Sequence, residues 1–390
     1  MFFSGHYFKA HKVFYLKITI SEIYQPENNI IVAEKQKTMK LSIILSLSLS
    51  IAIIIAILYF TVKPEDINTL LTTRIRFEFL AIAVLLNVCY WVLWALRMRI
   101  LANTMEKKLK LSIWGSTKIV LANMFLASIT PSMAGGEPVR IYLLNKEGMS
   151  FGCATAAVLG ERLLDAFFVL LMVPFAFFVI QGIPGIHQYS FLSTALLIGV
   201  VVFILFLGLF IYAIAKPEKT KSFLIFISKK LSRFSKKKES INKTIKRISK
   251  EVDNFSKSMF SFAGERKSLA LASFVTVVFW SSGFLIPSFV LMGLGLPPYF
   301  VESFAAQILL LVIIMMPTTP GSAGVAEVSI YGLYGVLIGT GEGSLIGVFI
   351  VLYRFITYHM NFIVGAIFMQ RIFKSVASFS LDMVKKKEEN

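Results

Sequence analysis

Long uncharged apolar runs recur along the 390-residue chain, and short polar or basic segments separate them. The runs 41–62, 191–215 and 269–292 contain no Asp, Glu, Lys or Arg. Each run has about 20 residues or more, the length that a helix rising about 1.5 Å per residue needs to cross roughly 30 Å of hydrocarbon. The pattern therefore predicts an all-α, polytopic transmembrane helical bundle of about six full spans. We place these spans at 41–62, 79–99, 151–181, 190–215, 268–293 and 345–371.

Two further apolar regions, 113–145 and 301–340, are interrupted by Pro and Gly. Each interruption is followed by a glutamate, Glu137 or Glu327, and then by an Ile-Tyr pair. Interrupted segments at corresponding places in two halves of a chain are typical of inverted-repeat transporters, where they form the binding site. Chance recurrence of short Pro/Gly-rich motifs is the alternative. The residues that we assign to the breaks are Pro131, Gly135, Gly136, Pro317, Pro320, Gly321 and Gly324.

Basic residues concentrate in a few of the connecting segments. The segment 216–267 holds 16 Lys and Arg residues against 5 acidic ones, and a second basic loop is predicted from Arg97 to Lys110. Because basic loops stay in the cytoplasm, we predict that both termini and the loop 216–267 are cytoplasmic. This topology requires each interrupted region to enter and leave on one side, the first from the cytoplasm and the second from outside. We favour these two oppositely entering re-entrant hairpins over two complete crossings, which distribute the charge less regularly.

The segments outside the predicted bundle are short. Residues 1–38 mix aromatic and basic side chains and are predicted to be a cytoplasmic extension, or a start placed too early, because Met39 begins an unbroken apolar run. Residues 39–373 form the transmembrane domain, and 374–390 form a charged cytoplasmic tail.

Within the basic loop 216–267, apolar residues follow a 4-3-4-3-4-3 spacing from Ile241 to Phe262, which predicts an amphipathic helix. We expect this seam to lie on the anionic inner leaflet. A helical hairpin with 221–234 and a coiled coil with a partner remain as alternatives.

The overall composition excludes several classes of protein. With 56% hydrophobic and 16% charged residues, the chain does not resemble a soluble domain. The formal charge of +18 suggests nucleic acid at first, but basic segments between spans instead orient a membrane protein and attract anionic lipids. We therefore expect a multi-pass protein of the cell membrane whose partners are anionic membrane lipids and not nucleic acid.

Metal, cofactor and catalytic signatures are not found in the sequence. Cys89 and Cys153 lack partner spacing, and the four histidines form no ligand pattern. The sequence also contains no Walker loop, zincin helix or nucleophile elbow. We predict no metal or cofactor, and we do not expect the chain to be an enzyme.

Seven charged residues lie within or beside the predicted spans, where a charge costs about 2.5–3.5 kcal/mol on insertion scales. They comprise three arginines and four acids, so a largely paired cluster is feasible. Together with Tyr358 we predict that they bind substrate; they are Glu137, Arg140, Glu161, Arg162, Asp165, Glu327 and Arg354.

Spacing indicates partners for some of these charges. Glu161 and Asp165 are four residues apart on one helix face and would repel each other without an arginine between them. Arg162 can reach Asp165, and Arg140 or Arg354 could come from another helix. A purely structural ion pair, or snorkelling of Arg140 to the interface, is the alternative.

The two glutamates after the breaks begin predicted half-helices. The positive end of a helix dipole stabilises a carboxylate there, and the same N–H groups could instead receive a phosphate. Simple capping of the helix is the structural alternative for both Glu137 and Glu327.

Four motifs then resemble, in family order, the flippase-like transmembrane family typified by the membrane region of bacterial lysylphosphatidylglycerol synthases. They are Pro131 to Arg140, Glu161-Arg-Leu-Leu-Asp165, Pro317 to Glu327, and Tyr353 to Tyr358 followed by Gly365. The resemblance covers about 40 to 370 and implies translocation of an aminoacylated phospholipid or a polyprenyl-linked glycolipid. The synthases carry a transferase domain after the membrane region. No such segment follows here, so we expect no tRNA-dependent transfer chemistry in this polypeptide.

Three hypotheses follow from the sequence. The leading one is a lipid flippase or lipid-binding translocator with a central polar cavity. The second is a scaffold that recruits a separate transferase through the seam helix, and the third is a membrane-embedded enzyme acting on lipid headgroups through its buried carboxylates. The sequence makes no prediction about oligomeric state, headgroup or energy coupling.

Overall fold

The computed structural model describes residues 75–130, 136–183, 216–232, 238–314, 322, 324–339 and 345–369, with isolated positions between 201 and 215. Every element in this part of the chain is a helix. We number the helices as follows: α1 Phe77–Met105, α2 Ile113–Ile129, α3 Gly136–Lys146, α4 Phe151–Gln181, α5 Pro217–Ser232, α6 Lys238–Gly264, α7 Arg266–Gly293, α8 Phe300–Ile314, α9 Val325–Ile338 and α10 Ile346–Met369.

Four of these helices, α1, α4, α7 and α10, are long and apolar enough to cross a membrane. They correspond to the predicted spans 79–99, 151–181, 268–293 and 345–371, and the all-α prediction is confirmed. The predicted span 41–62 lies outside the described residues, as do the tail 374–390, the extension 1–38 and most of 190–215.

One prediction about α1 is wrong. The span was ended at residue 99 because Arg97 and Arg99 were assigned to a cytoplasmic loop, whereas α1 continues to Met105 and Arg97 is fully buried within it. The helix tolerates this charge because acidic partners on α4 neutralise it, as described below.

The first interrupted region is a helical hairpin whose two ends lie at the same end of the bundle. Its entry is tied to the last turns of α1, where Arg99 Nε donates to Leu111 O at 2.8 Å and Asn103 Oδ1 accepts from Leu111 N at 3.0 Å. Its exit leads into α4, which runs antiparallel to α1, since Gly160 of α4 faces Leu101 and Met105 while the later residue Asp165 meets the earlier residue Arg97. Helices α2 and α3 therefore enter and leave from one side.

The second interrupted region doubles back in the same way but from the opposite end. Helix α7 is antiparallel to α1, because Arg76 N donates to Gly293 O at 2.9 Å. Helix α8 consequently begins at the end of the bundle where α1 starts, opposite the end from which the first hairpin enters. Its first turns meet the last turns of α9, where Gln307 Nε2 donates to the Tyr334 hydroxyl at 2.9 Å. The two hairpins thus enter from opposite ends, as the charge pattern predicted.

The order span, hairpin, span occurs twice, as α1–α2/α3–α4 and as α7–α8/α9–α10. The two copies meet where the end of α2 touches α10: the Tyr358 hydroxyl donates to Ser128 O at 3.0 Å, and Gly365 packs on the backbone of Leu121 and Phe125. This arrangement is that of an inverted repeat, in which the last turns of α2 and α8 both reach the middle of the bundle.

The seam of the basic loop packs on protein rather than lying free on a leaflet. Helices α5 and α6 form a hairpin in which Lys221 Nζ lies 3.4 Å from Asp253 Oδ1. The described part of the seam is buried at Val252 and Met259, and Glu251 Oε2 accepts from Gly152 N at the start of α4 at 2.7 Å. The hairpin alternative is therefore the observed one, because α4 offers α6 an apolar surface and a backbone N–H at Gly152 that Glu251 accepts from.

Close packing at Gly365 yields a test of the contact between the two repeats. A Cβ atom at this position would lie 2.6 Å from Leu121 O and 2.9 Å from Phe125 N, both rigid backbone atoms. We expect Gly365→Ala to lower the free energy of unfolding by about 1–3 kcal/mol, the usual effect of overpacking. Thermal unfolding in detergent measures this loss. The matched control is Gly332→Ala, where no atom lies within 4 Å; equal destabilisation by both variants would contradict the proposed contact.

Candidate functional site

A cavity of about 340 Å³ lies at the centre of the bundle, between the last turns of α2 and α8. Side chains from α1, α2, α3, α4, α7, α8 and α10 line it, so both repeats contribute. Its aromatic lining consists of Tyr90, Trp94, Trp280, Phe284, Tyr353 and Tyr358. Its polar lining includes Asn87, Asn123, Glu137, Arg162, Gln307 and Asn361.

Two glutamate–arginine pairs occupy equivalent places in the two repeats. Glu137 lies in the first turn of α3, and its Oε1 is 2.6 Å from Arg162 Nε on the following span. Glu327 lies in the first turn of α9, and its Oε1 accepts from Arg354 Nε on the following span at 2.7 Å. The two repeats therefore share the same ion pair, between the start of a half-helix and the following span, as well as the same topology.

The two pairs differ in their access to the cavity. The side chains of Arg162 and Glu137 are 31% and 34% exposed and line it, whereas those of Arg354 and Glu327 are 7% and 0% exposed. The ring of Tyr358, which does line the cavity, lies 4.3 Å from the Arg354 guanidinium carbon. One pair is therefore open to a ligand, and the other is closed behind an aromatic ring.

A second layer of charge lies behind the open pair, fully buried between α1, α3 and α4. Arg97 Nη1 is 2.5 Å from Asp165 Oδ1, and its Nε is 3.6 Å from Glu161 Oε1. Arg140 pairs with Glu161 through Nη1 and Oε2. Arg162 Nη1 donates to Asp165 Oδ2 at 3.2 Å and so connects this layer to the cavity.

Two cavity tryptophans anchor the buried carboxylates. Trp280 Nε1 donates to Asp165 Oδ1 at 2.8 Å, and Trp94 Nε1 donates to Glu161 Oε2 at 3.3 Å. Their rings form part of the cavity wall while their N–H groups point away from it. At these two tryptophans the cavity wall is therefore aromatic, although charge lies directly behind it.

Some buried arginine nitrogens lack a hydrogen-bond acceptor among the described residues. They are Nε of Arg97, Nε and Nη2 of Arg140, Nε of Arg162 and Nη2 of Arg354. Of these, Nε of Arg97 and Nε of Arg162 still lie within ion-pair distance of Glu161 and Glu137. The guanidinium carbon of Arg140 lies 5.2 Å from the Trp94 ring centroid, which compensates part of the charge through a cation–π contact. Unsatisfied buried donors are uncommon and costly, so their presence at this depth favours a functional region.

The predicted site residues are brought together with one important addition. Glu137, Arg162 and Tyr358 line the cavity, and the remaining members of the predicted set form the buried pairs behind it. The addition is Arg97, which sequence analysis placed in a loop. The sequence does contain a sign of it. The seven charged residues predicted to lie at membrane depth comprise three arginines and four acids, and Arg97 makes the numbers equal.

Of the residues assigned to the breaks, two are described. Gly136 begins α3 so close to α2 that a Cβ would lie 2.3 Å from Asn123 Oδ1, and Gly324 precedes α9 with φ +87°. Both positions require glycine for a physical reason. The other break residues, Pro131, Gly135, Pro317, Pro320 and Gly321, lie outside the described residues.

Comparisons with known proteins agree with this architecture. A family model described as the lysylphosphatidylglycerol synthase TM region matches residues 44–365. A UPF0104 membrane protein of Archaeoglobus fulgidus is 34% identical over 299 residues, covering 75% of this chain and 86% of the relative. A UPF0104 membrane protein of Methanothermobacter thermautotrophicus is 23% identical over 266 residues, covering 66% of this chain and 74% of the relative. No solved structure matches.

The pair Arg97–Asp165 yields a stability test. Removing one partner of a buried ion pair leaves an uncompensated charge and typically costs about 3–5 kcal/mol. We expect Arg97→Leu to lower the free energy of unfolding by about this amount, measured by thermal unfolding in detergent. Lys108→Leu, an exposed cation in the turn that follows the same helix, is the matched control.

A double-mutant cycle separates charge pairing from loss of packing. Because Asp165→Asn removes the charge that Arg97 neutralises, Arg97→Leu should cost less in the Asp165→Asn background than in the wild type. Additive losses would mean that the two side chains do not interact.

Proposed function

The chain belongs to the family of the lysylphosphatidylglycerol synthase transmembrane region, and on that premise we propose that it binds a lipid headgroup in the central cavity and carries it between leaflets. The observation that carries this proposal is the Glu137–Arg162 pair, which is partly exposed in a cavity formed by both repeats. In inverted-repeat transporters the ligand binds at the repeat interface near the bilayer midplane.

Arg162 is the group that suits a lipid phosphate. A guanidinium offers a planar set of donors that matches phosphate oxygens, and such charge-assisted bonds are about twice as strong as neutral ones. Asp165 holds Arg162 from behind through Nη1. The guanidinium is therefore positioned toward the cavity before any ligand arrives.

Glu137 is the counter-charge that suits an amine on the same headgroup. When a phosphate displaces Glu137 from Arg162, the freed carboxylate needs a new cation. An amine supplies it, and the faces of Trp94 and Tyr358 offer additional cation–π contacts. A headgroup with both charges thus exchanges one protein pair for two protein–ligand pairs. A purely anionic phospholipid or polyprenyl-phosphate glycolipid leaves Glu137 unpaired unless it is protonated.

The closed pair Glu327–Arg354 is the equivalent site of the second repeat. Movement of one repeat against the other would exchange which pair faces the cavity, as expected for alternating access. We further propose that the end of the bundle bearing α5 and α6 is cytoplasmic, because the basic loop 216–267 belongs to it.

Lipid retention tests the proposal. We expect Arg162→Ala to lower affinity for its phospholipid about ten- to a hundredfold, the equivalent of losing one charge-assisted hydrogen bond of roughly 1.5–3 kcal/mol. Glu137→Gln should affect amine-bearing lipids more than anionic ones. Native mass spectrometry of detergent-purified protein measures the bound species. Lys118→Ala, an exposed cation on α2, is the control.

Other outcomes favour the rival functions. An identical, unselective lipid mixture on wild type and Arg162→Ala would make the cavity charges structural and favour the scaffold hypothesis. Conversion of a lipid headgroup by the purified protein alone would favour the embedded enzyme. Transport itself is measured in proteoliposomes with fluorescent phospholipids and a membrane-impermeant quencher.

A further inference from the structure

A second hollow of about 530 Å³ lies between α4, α6 and α7, on the other side of the cavity wall. Phe168 lines this hollow and Trp280 lines the central cavity, and their rings stack with centroids 6.4 Å apart. The two spaces are therefore separate sites with a shared aromatic wall. We call the second one the lateral groove.

The lateral groove has an almost entirely apolar lining. Among the described residues that line it, Leu164, Phe167, Met259, Phe262 and Val277 are typical, and Ser273 and Thr276 alone have polar side chains. An ordered water needs two to four polar partners, so water does not fill a space of this composition and size. An empty space of this volume would forfeit its packing contacts. Hydrocarbon is the occupant that satisfies both requirements.

The groove is bounded at one end by the basic end of the bundle. The last turns of α6 contribute Met259 and Phe260, and the first turns of α7 contribute Leu269. Exposed cations lie within one turn of these residues along each helix: Lys257 precedes Phe260, and Arg266 and Lys267 precede Leu269. The nearby Glu265 is already paired with Lys107, with Nζ and Oε1 3.3 Å apart. The rim therefore keeps a positive charge.

From these observations we propose that the lateral groove binds one hydrocarbon chain of an anionic phospholipid, whose phosphate is held by Lys257, Arg266 and Lys267. Apolar lining and cationic rim match the two parts of such a lipid, and basic residues near a membrane surface attract anionic headgroups. The apolar segment before α5 does not fill the groove at its described positions, because the side chains of Val201, Leu205 and Leu209 are about half exposed or more.

The groove also adjoins the buried charges. Thr276 lines it and accepts a hydrogen bond from Arg97 Nη1 at 3.4 Å. A chain in the groove would exclude water from this side of the Arg97–Asp165 pair. The proposed lipid is thus a resident structural ligand, independent of the headgroup that the central cavity is proposed to transport.

Photocrosslinking and native mass spectrometry test the proposal. The protein is placed in phosphatidylcholine nanodiscs containing a minority of phosphatidylglycerol with a diazirine on one acyl chain. We expect crosslinks concentrated on Phe167, Phe260 and Val277, and one phosphatidylglycerol retained after transfer to detergent. Arg162→Ala should keep this lipid, which separates the groove from the central cavity and the present proposal from the proposed function.

Variants that fill the groove with a larger side chain test whether the lipid chain lies there. Val277→Trp and Ser273→Trp place a ring where the chain would lie, and we expect retention to fall about tenfold or more, as when two buried methylenes are lost. Phe274→Trp, exposed on the same helix and outside the groove, should retain the lipid, and elution as a single species checks that each variant is folded. Crosslinks spread evenly over all apolar surfaces, no crosslinks in the groove, or equal retention in every variant would overturn the proposal.

The rim is tested separately by charge reversal. Arg266→Glu combined with Lys267→Glu should shift retention from phosphatidylglycerol toward phosphatidylcholine, because the hydrocarbon contacts remain while the phosphate partner is lost. Lys118→Glu, an exposed cation on α2, should leave the preference unchanged. An unchanged preference in the double variant would overturn the assignment of the headgroup to this rim.

Discussion

Mutual neutralisation of buried charge is the constraint on which the rest of this structure depends. Ionised side chains at membrane depth survive only when paired. Here four arginines meet four acids, and every pair joins segments that are distant in sequence, except for the contact between Arg162 and Asp165. The hairpins, the glycine at the start of α3 and the antiparallel packing of α1 on α7 all place these charges within reach of one another. Changing one charge therefore affects the pairing of several helices.

The same constraint explains what could be predicted from the sequence. Run length predicted the spans, and Pro/Gly breaks followed by Glu137 and Glu327 predicted the half-helix starts, because both are local properties. The pairing of Arg354 with Glu327 depends on helix rotation and was not accessible from spacing. Arg97 is predicted to belong to a basic loop because Arg99, Lys107, Lys108 and Lys110 follow it closely in the sequence. Balancing the buried charges would show that one arginine is missing from the cluster.

Polar amides were missed for a related reason, since a single Asn or Gln within an apolar run gives no periodic signal. In the structure they satisfy irregular backbone. α10 contains a π turn at Phe355–His359, which disturbs the regular hydrogen bonding of the helix. Asn87 Nδ2 donates to Ile356 O at 2.8 Å, and Asn361 Nδ2 donates to Thr357 O at 2.5 Å. Irregular backbone at this depth requires such partners, and it occurs where a cavity is lined.

The two repeats are equivalent in topology but not in how firmly they hold their arginines. Arg162 is held by two carboxylates, Glu137 and Asp165, and Asp165 is fixed in turn by buried partners. Arg354 is held by one carboxylate, that of Glu327, within the described residues. In the proposed function, a ligand would displace Glu137 while Asp165 keeps Arg162 in place, whereas displacing Glu327 would leave Arg354 without a charged partner. The ligand contact that we propose therefore falls to the open pair of the first repeat, and the pair of the second repeat stays closed behind Tyr358.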